Sequence, residues 1–156
     1  MNIDKIKSEF QLVNNRIINI NLSNNLFSVN DSKIKKEIRK LDYNYNLIDN
    51  DELHAGILQL FVEIIALEEN EESALQISMG LDGCFTAGKE SMDKNQFIEM
   101  LEISGTACLY SIARANIINL SSQSIIEGQL RLPMINVYDF VEGKKAERTN
   151  QDNSIE

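Results

Sequence analysis

The chain has 156 residues, of which 43% are hydrophobic and 25% charged, enough for one domain with its own core. Fifteen Lys and Arg stand against 24 Asp and Glu, a net charge of −9 that repels phosphate backbones and argues against nucleic acid as a partner. No basic segment followed by an apolar stretch opens the sequence and no run of about twenty apolar residues occurs, so membrane insertion is not expected and the chain reads as cytoplasmic.

Ile3, Ile6, Phe10 and Val13 recur at three- and four-residue spacing, which predicts a short helical leader. From Arg16 the period changes to two. Ile18, Ile20 and Leu22 alternate with Asn19, Asn21 and Ser23, as in a half-buried strand, and polar residues around Asn24-Asn25 and Asn30-Asp31-Ser32 break it. Leu41, Tyr43, Tyr45 and Leu47 then oppose Asp42, Asn44 and Asn46 in a strand with one apolar and one wet face. After a turn at 48–52, the run from Leu53 to Leu67 is apolar on both faces and predicts a central strand. The acidic turn at 68–72 leads into Leu75, Ile77, Met79, Leu81 and Phe85, alternating with Gln76, Ser78, Asp82 and Thr86. Three strands joined by short polar turns make an antiparallel meander.

Asp93 followed by Gln96 is a capping-box pattern, and it introduces Phe97, Leu101, Cys108, Ile112 and Ala115 on one stripe of a helix expected to reach about Leu120. Ile98, Met100, Leu109, Tyr110, Ile117 and Ile118 lie on other faces. One sheet cannot cover all of these, so the helix should be covered twice, and Leu109, Ile112 and Ile117 are the expected contacts with a second subunit. The segment GQLRLPMINVYDF, Gly128 to Phe140, holds the only proline and reads as an extended apolar loop.

No phosphate-binding glycine loop, no nucleophile beside a histidine and no carboxylate pair spaced for acid–base work is present, so neither a catalytic residue nor a cofactor is expected. Cys84 and Cys108 lack metal spacing and read as reduced core thiols; no metal site is expected. His54 reads as structural, Arg114 as a partner of a carbonyl or a carboxylate, and Gly83 and Gly88 as marks of a bulge or turn.

The order of a first strand, a three-strand meander, FTAG, a long apolar helix with LYSIAR and then GQLRLPMINVYDF resembles the SecB family of protein-export chaperones from Arg16 to Phe140. Ala113-Arg114 and the Leu-Pro-x-Ile-Asn pattern at Leu132 to Asn136 carry most of the likeness. The resemblance implies an α+β fold: a four-stranded antiparallel sheet packed against a long helix, a crossover loop, a short second helix, and a homotetramer built as a dimer of dimers. It places a single domain over residues 1–142 and a polar flexible tail over 143–156. It also implies an ATP-independent holdase for unfolded or extended polypeptides, possible in export; the alternative is a dedicated adaptor for one partner, such as an antitoxin or a secreted protein.

Exporting members dock the motor SecA through acidic residues where this chain has Asn19, Asn21, Asn24 and Gln76, which makes a SecA partnership doubtful. Where the family often has a mid-helix proline, this chain has Ser111, and its two termini are closer to SecB-like proteins paired with toxin–antitoxin modules. If the loop crosses helix and sheet, Leu130, Leu132, Pro133, Met134, Ile135 and Tyr138 wall an apolar client groove completed by Phe85, Tyr43 and Tyr45. If it packs down instead, the same residues complete the core.

Overall fold

The computed structural model describes residues 8–152, with side chains through 148. Four antiparallel strands, β1 (Gln11–Asn24), β2 (Lys36–Ile48), β3 (Leu53–Leu67) and β4 (Ser73–Gly88), form one sheet in the order β1-β4-β3-β2. The meander stands where the period-two alternation put it. Leu60 pairs with Tyr43 on one side and Leu81 on the other, so one face of the three strands carries a continuous apolar surface.

The expected leader is corrected at its C-terminal end. Val13 lies inside β1, which starts five residues before the expected strand; Ile3 and Ile6 fall outside the described residues. Val13 falls at the first of two irregularities in the pairing of β1 with β4, and Phe10 lies just before the strand. Register shifts between Leu12 and Asn14 and between Ile17 and Asn19 insert an extra residue each time, so Leu12, Ile17, Ile20 and Leu22 all oppose core residues of β4 despite uneven spacing.

The helical rod begins at the predicted capping box. Asp93 Oδ1 accepts from the backbone N–H groups of Asn95 and Gln96 at 2.8 and 2.9 Å, and Gln96 Oε1 accepts from Asp93 N at 3.1 Å. The rod comprises α1 (Lys94–Met100), a π-helical turn (Leu101–Gly105) and α2 (Thr106–Ser124), ending one turn beyond the expected Leu120. Its irregularity thus lies at the π turn, ahead of Ser111, whose hydroxyl donates to the Ala107 carbonyl at 2.9 Å.

The rod packs on β3 and β4, and two glycines permit the close approach. A Cβ on Gly83 would stand 2.8 Å from Leu109 Cδ2, and one on Gly105 would stand 3.2 Å from Leu58 Cδ2. Gly83 therefore marks close packing of the helix on the sheet, where a bulge or turn was expected. Leu109, Ala113 and Ile117 are fully buried at this interface. Neither Leu109 nor Ile117 is free to meet a second subunit, which corrects that assignment; Ile112 is half-buried on the flank.

The third helix, α3 (Val137–Asp152), replaces the expected flexible tail over residues 143–152. Asn136 begins it. The Asn136 carbonyl accepts from Phe140 N at 3.1 Å, and its Nδ2 donates to Asp139 Oδ2 at 2.6 Å. Val141 is fully buried, but the rest of the docking is largely polar. Lys145 Nζ lies 3.0 Å from Glu102 Oε2, Lys144 Nζ lies 3.2 Å from Asp42 Oδ1, and Arg148 Nη2 donates to the Tyr43 carbonyl at 2.7 Å.

The sheet face away from the helices is laced by side-chain networks. Asp82 Oδ2 accepts from Arg16 Nη2 at 2.9 Å while its Oδ1 accepts from Gln59 Nε2 at 3.0 Å. Glu63 bridges Lys40 at 2.8 Å and Gln76 at 3.0 Å, and these two donors hold its carboxyl below the usual range.

Candidate functional site: the crossover loop on helix α2

Residues 125–136 return along α2 in extended form because three side chains of that helix hold their backbone. Ser121 Oγ accepts from Leu130 N at 2.9 Å, Arg114 Nε donates to the Leu132 carbonyl at 3.1 Å, and Tyr110 Oη donates to the Pro133 carbonyl at 2.8 Å. Arg114 thus meets a carbonyl, one of its two expected partners. At the far end, Glu127 N donates to the Phe27 carbonyl at 3.0 Å and Val29 N to the Glu127 carbonyl at 3.1 Å, pinning the loop to the β1–β2 connection. Proline is accommodated because its carbonyl, not its missing N–H, makes the contact.

The expected groove residues divide sharply by exposure. Leu132, at 3% exposure, belongs to the core, as do Phe85 and Tyr43; these three cannot wall an open groove, and that part of the assignment is corrected. Phe85 stacks on Phe10 with ring centroids 5.1 Å apart. Tyr43 lies under α3, with the Phe140 ring edge-on at a centroid separation of 5.7 Å and the Arg148 guanidinium 5.0 Å from the Tyr43 ring centroid.

Met134 is 80% exposed, Tyr138 is 55% exposed and Pro133 is exposed, while Leu130, Ile135 and Tyr45 are half-buried. Ile126, at 76% exposure, and Phe27 add apolar surface at the other end of the loop, and the alternation of the sequence alone did not single them out. Tyr138 also edges a cavity of about 330 Å³ with Ile98 and Ile103, rimmed by Glu99, Glu142 and Lys145.

The arrangement is an extended backbone held to α2 by three side-chain hydrogen bonds, with Pro133 and Met134 exposed. Among the described residues no group of three or more His, Cys, Asp or Glu is placed to hold a metal. Burial pushes the Tyr110 hydroxyl above its ordinary pKa, with Arg114 and Arg39 opposing, which extends its role as donor to Pro133 into the alkaline range. His54 is structural: Nε2 is 3.0 Å from the Met92 carbonyl and its ring stacks on Phe97. No described helix is long and apolar enough to cross a membrane.

No family model matches the sequence, and none of the curated proteins matches it. Solved structures do. The SecB-like chaperone Rv1957 of Mycobacterium tuberculosis, solved in complex with a ChAD peptide from the HigA1 antitoxin Rv1956, is 10% identical with a TM-score of 0.58. The match covers 81% of this chain and 91% of the chaperone. A Streptococcus agalactiae protein of unknown function is 8% identical with a TM-score of 0.52, covering 80% of this chain and 97% of that one. With its four-stranded antiparallel sheet, long helical rod, crossover loop and C-terminal helix, the chain has a SecB-like α+β fold.

Proposed function

We propose that this chain is an ATP-independent chaperone that binds extended polypeptide segments along the crossover loop. The observation that carries the reading is the exposure of Met134, with Pro133 and Tyr138 near it in the chain, on a backbone that Tyr110 and Arg114 hydrogen-bond to α2. An exposed apolar side chain on a mobile loop would collapse onto the surface; one on a fixed loop stays available. Methionine adapts its shape to varied partners. Mixing the protein with a chemically unfolded, aggregation-prone client in the absence of nucleotide tests the proposal. Suppression of light scattering at stoichiometric amounts is expected, and unaltered aggregation rejects it.

A dedicated adaptor is the second reading, favoured by the solved neighbour's complex with an antitoxin peptide. Affinity purification from the native host separates the two: one dominant partner supports the adaptor, and a mixture of nascent chains supports the general holdase.

The proposal includes a homo-oligomer, a tetramer by the resemblance, assembled through a surface other than Leu109 and Ile117. Ile17 and Ile20 pair with the core residues Leu81 and Met79 and so point to the helix side of the sheet, yet both remain exposed because the rod lies over β3 and β4. With half-buried Ile112 on the flank of α2, they form the apolar surface on the helix side of the sheet that we assign to a second copy.

A further inference from the structure

We infer that the outer edge of the crossover loop, which carries Arg131 and the exposed Met134 with Arg114 against its thioether, favours polypeptide segments that carry carboxylates among apolar residues. The inference rests on the polypeptide-binding reading and adds the chemistry of the partner.

The argument begins from the charge inventory. With 24 acidic against 15 basic residues, an arginine in this chain has carboxylates in excess to pair with. Arg16 and Arg39 do so, at 2.9 Å from Asp82 and 2.7 Å from Glu37, and Arg148 is engaged with the backbone and ring of Tyr43. Arg114 and Arg131 differ. Among the described residues, neither has a carboxylate oxygen within 4.0 Å.

Their contacts are neutral. Arg114 donates from Nε to the Leu132 carbonyl, and its Nη1 lies against the Met134 thioether. Arg131 donates from Nε at 3.1 Å and Nη2 at 2.6 Å to the side-chain oxygen of Gln129, with that amide turned to offer it. No carboxylate offsets either guanidinium in these contacts, and within the loop, residues 125–136, the one acidic residue is Glu127, four residues before Arg131. The nearest carboxylate downstream, that of Asp139, is occupied by Asn136 Nδ2 at 2.6 Å.

A planar guanidinium with free N–H groups matches a carboxylate in a paired geometry that a lysine does not offer. Met134, whose thioether lies against the Arg114 guanidinium, supplies an adaptable apolar contact. The overall charge of −9 works against an acidic ligand at long range, but charges farther than about 10 Å are largely screened at physiological salt, so the local pair governs selectivity on contact.

The test uses three fluorescein-labelled peptides with the same Leu, Phe and Val residues and with Glu, Gln or Lys at every polar position. Anisotropy titrations with the full chain are expected to rank them Glu, Gln, Lys, with the Glu peptide roughly three- to tenfold tighter than the Gln peptide. That advantage should shrink as salt is raised. R131Q, whose side chain touches only Gln129 among the contacts above, should reduce the Glu-over-Gln ratio, and R114Q/R131Q should bring it close to one. R114K, which keeps the charge, should retain more of the ratio than R114Q. Circular dichroism confirms that each variant is folded.

A Lys peptide that binds as well as the Glu peptide overturns the inference, as does a ratio unchanged in folded R131Q and R114Q/R131Q. If the Gln peptide binds and aggregation is suppressed while the ratio stays at one, only the charge selectivity fails. If no peptide binds and no aggregation is suppressed, the polypeptide-binding reading fails with it.

Discussion

The hydroxyl of Tyr43 on β2 donates to Glu102 Oε1 in the π turn at 3.2 Å, and Lys145 of α3 approaches the other oxygen of that carboxylate at 3.0 Å. A strand, a helical irregularity and the C-terminal helix thus meet on one buried carboxylate. Replacing Glu102 by Leu strands the Tyr43 hydroxyl in the interior, at a cost of about 1–3 kcal/mol. Tyr43→Phe combined with Glu102→Leu removes both ends of the bond. Urea denaturation should therefore show the double variant less destabilised than the sum of the single ones.

Alkaline pH probes the same contact. Burial first, then the Glu102 charge and hydrogen bond, raise the Tyr43 pKa well above the ordinary tyrosine value; burial raises Tyr45 too. The Glu102 hydrogen bond likewise raises the Lys145 pKa, although that side chain is partly exposed and contributes less. Each raised pKa means that the folded state keeps protons the unfolded chain has released. The associated stability is complete below about pH 10 and falls as pH climbs above it. Spectrophotometric titration of the wild type minus that of Tyr43→Phe should show Tyr43 ionising later than an ordinary tyrosine, and Tyr43→Phe should reduce the steepness of the stability loss above about pH 10.

Much of this fold is legible in the sequence, and the residues that were not have a physical reason. The strands through Tyr43 and Leu81 announce themselves by period-two alternation because each has one face against the helices, and the strand through Leu60 by an apolar run on both faces, as its central place between them explains. The bulges of β1 erase that signal at Val13 and Ile18. The π turn leaves no compositional mark. It shifts the helical phase by one residue, which is why a stripe drawn through Phe97, Leu101, Cys108 and Ile112 leaves the buried face that runs through Leu109, Ala113 and Ile117. α3 sets only Val137, Phe140 and Val141 against the core and is otherwise polar, with its ion pairs beyond them, so its residues from 143 onward read as a tail. In the loop, Leu132 turns inward and Met134 outward because Arg114 and Tyr110 fix the backbone, a tertiary constraint invisible in the segment itself.

Gly83 is the next test, because the rod has no slack above it. Its Cβ in Gly83→Ala would sit 2.8 Å from both Leu109 Cδ2 and Phe85 Cε2, and both side chains are themselves buried. Overpacking of this kind costs about 1–3 kcal/mol. Gly88→Ala, whose Cβ would meet only the Ser91 hydroxyl at 3.1 Å, should be milder, and thermal melts of the two variants check the ranking.

Assembly is tested on β1. Ile20→Asp puts a charge on an exposed side chain of the helix-side face, so a monomer should keep its fold with a change of about 0.5 kcal/mol or less. In an oligomer that covers this face, the same carboxylate would be buried without a partner, and native mass spectrometry should shift toward the 17.7 kDa monomer. A wild-type protein that is monomeric at micromolar concentration removes the oligomer from the proposal, and an Ile20→Asp protein with unaltered mass moves the interface elsewhere.

Leu132 and Met134 stand two residues apart on the loop and should respond in opposite ways. Leu132→Ser removes a side chain that is 3% exposed and leaves a hydroxyl in its place, so the transfer and cavity terms of a core truncation apply, about 2–5 kcal/mol. Met134→Ser changes a side chain that is 80% exposed, and its effect on stability should stay within about 0.5 kcal/mol. Client binding follows the other order. Folded Met134→Ser should lose affinity for an unfolded client, because the contact surface itself is cut, whereas Leu132→Ser, examined well below its lowered melting temperature, should keep most of it as long as Arg114 and Tyr110 hold the loop backbone. Paired melting and aggregation-suppression measurements decide the matter: a Met134→Ser protein that is as stable and as protective as the wild type removes the loop from the client-binding surface.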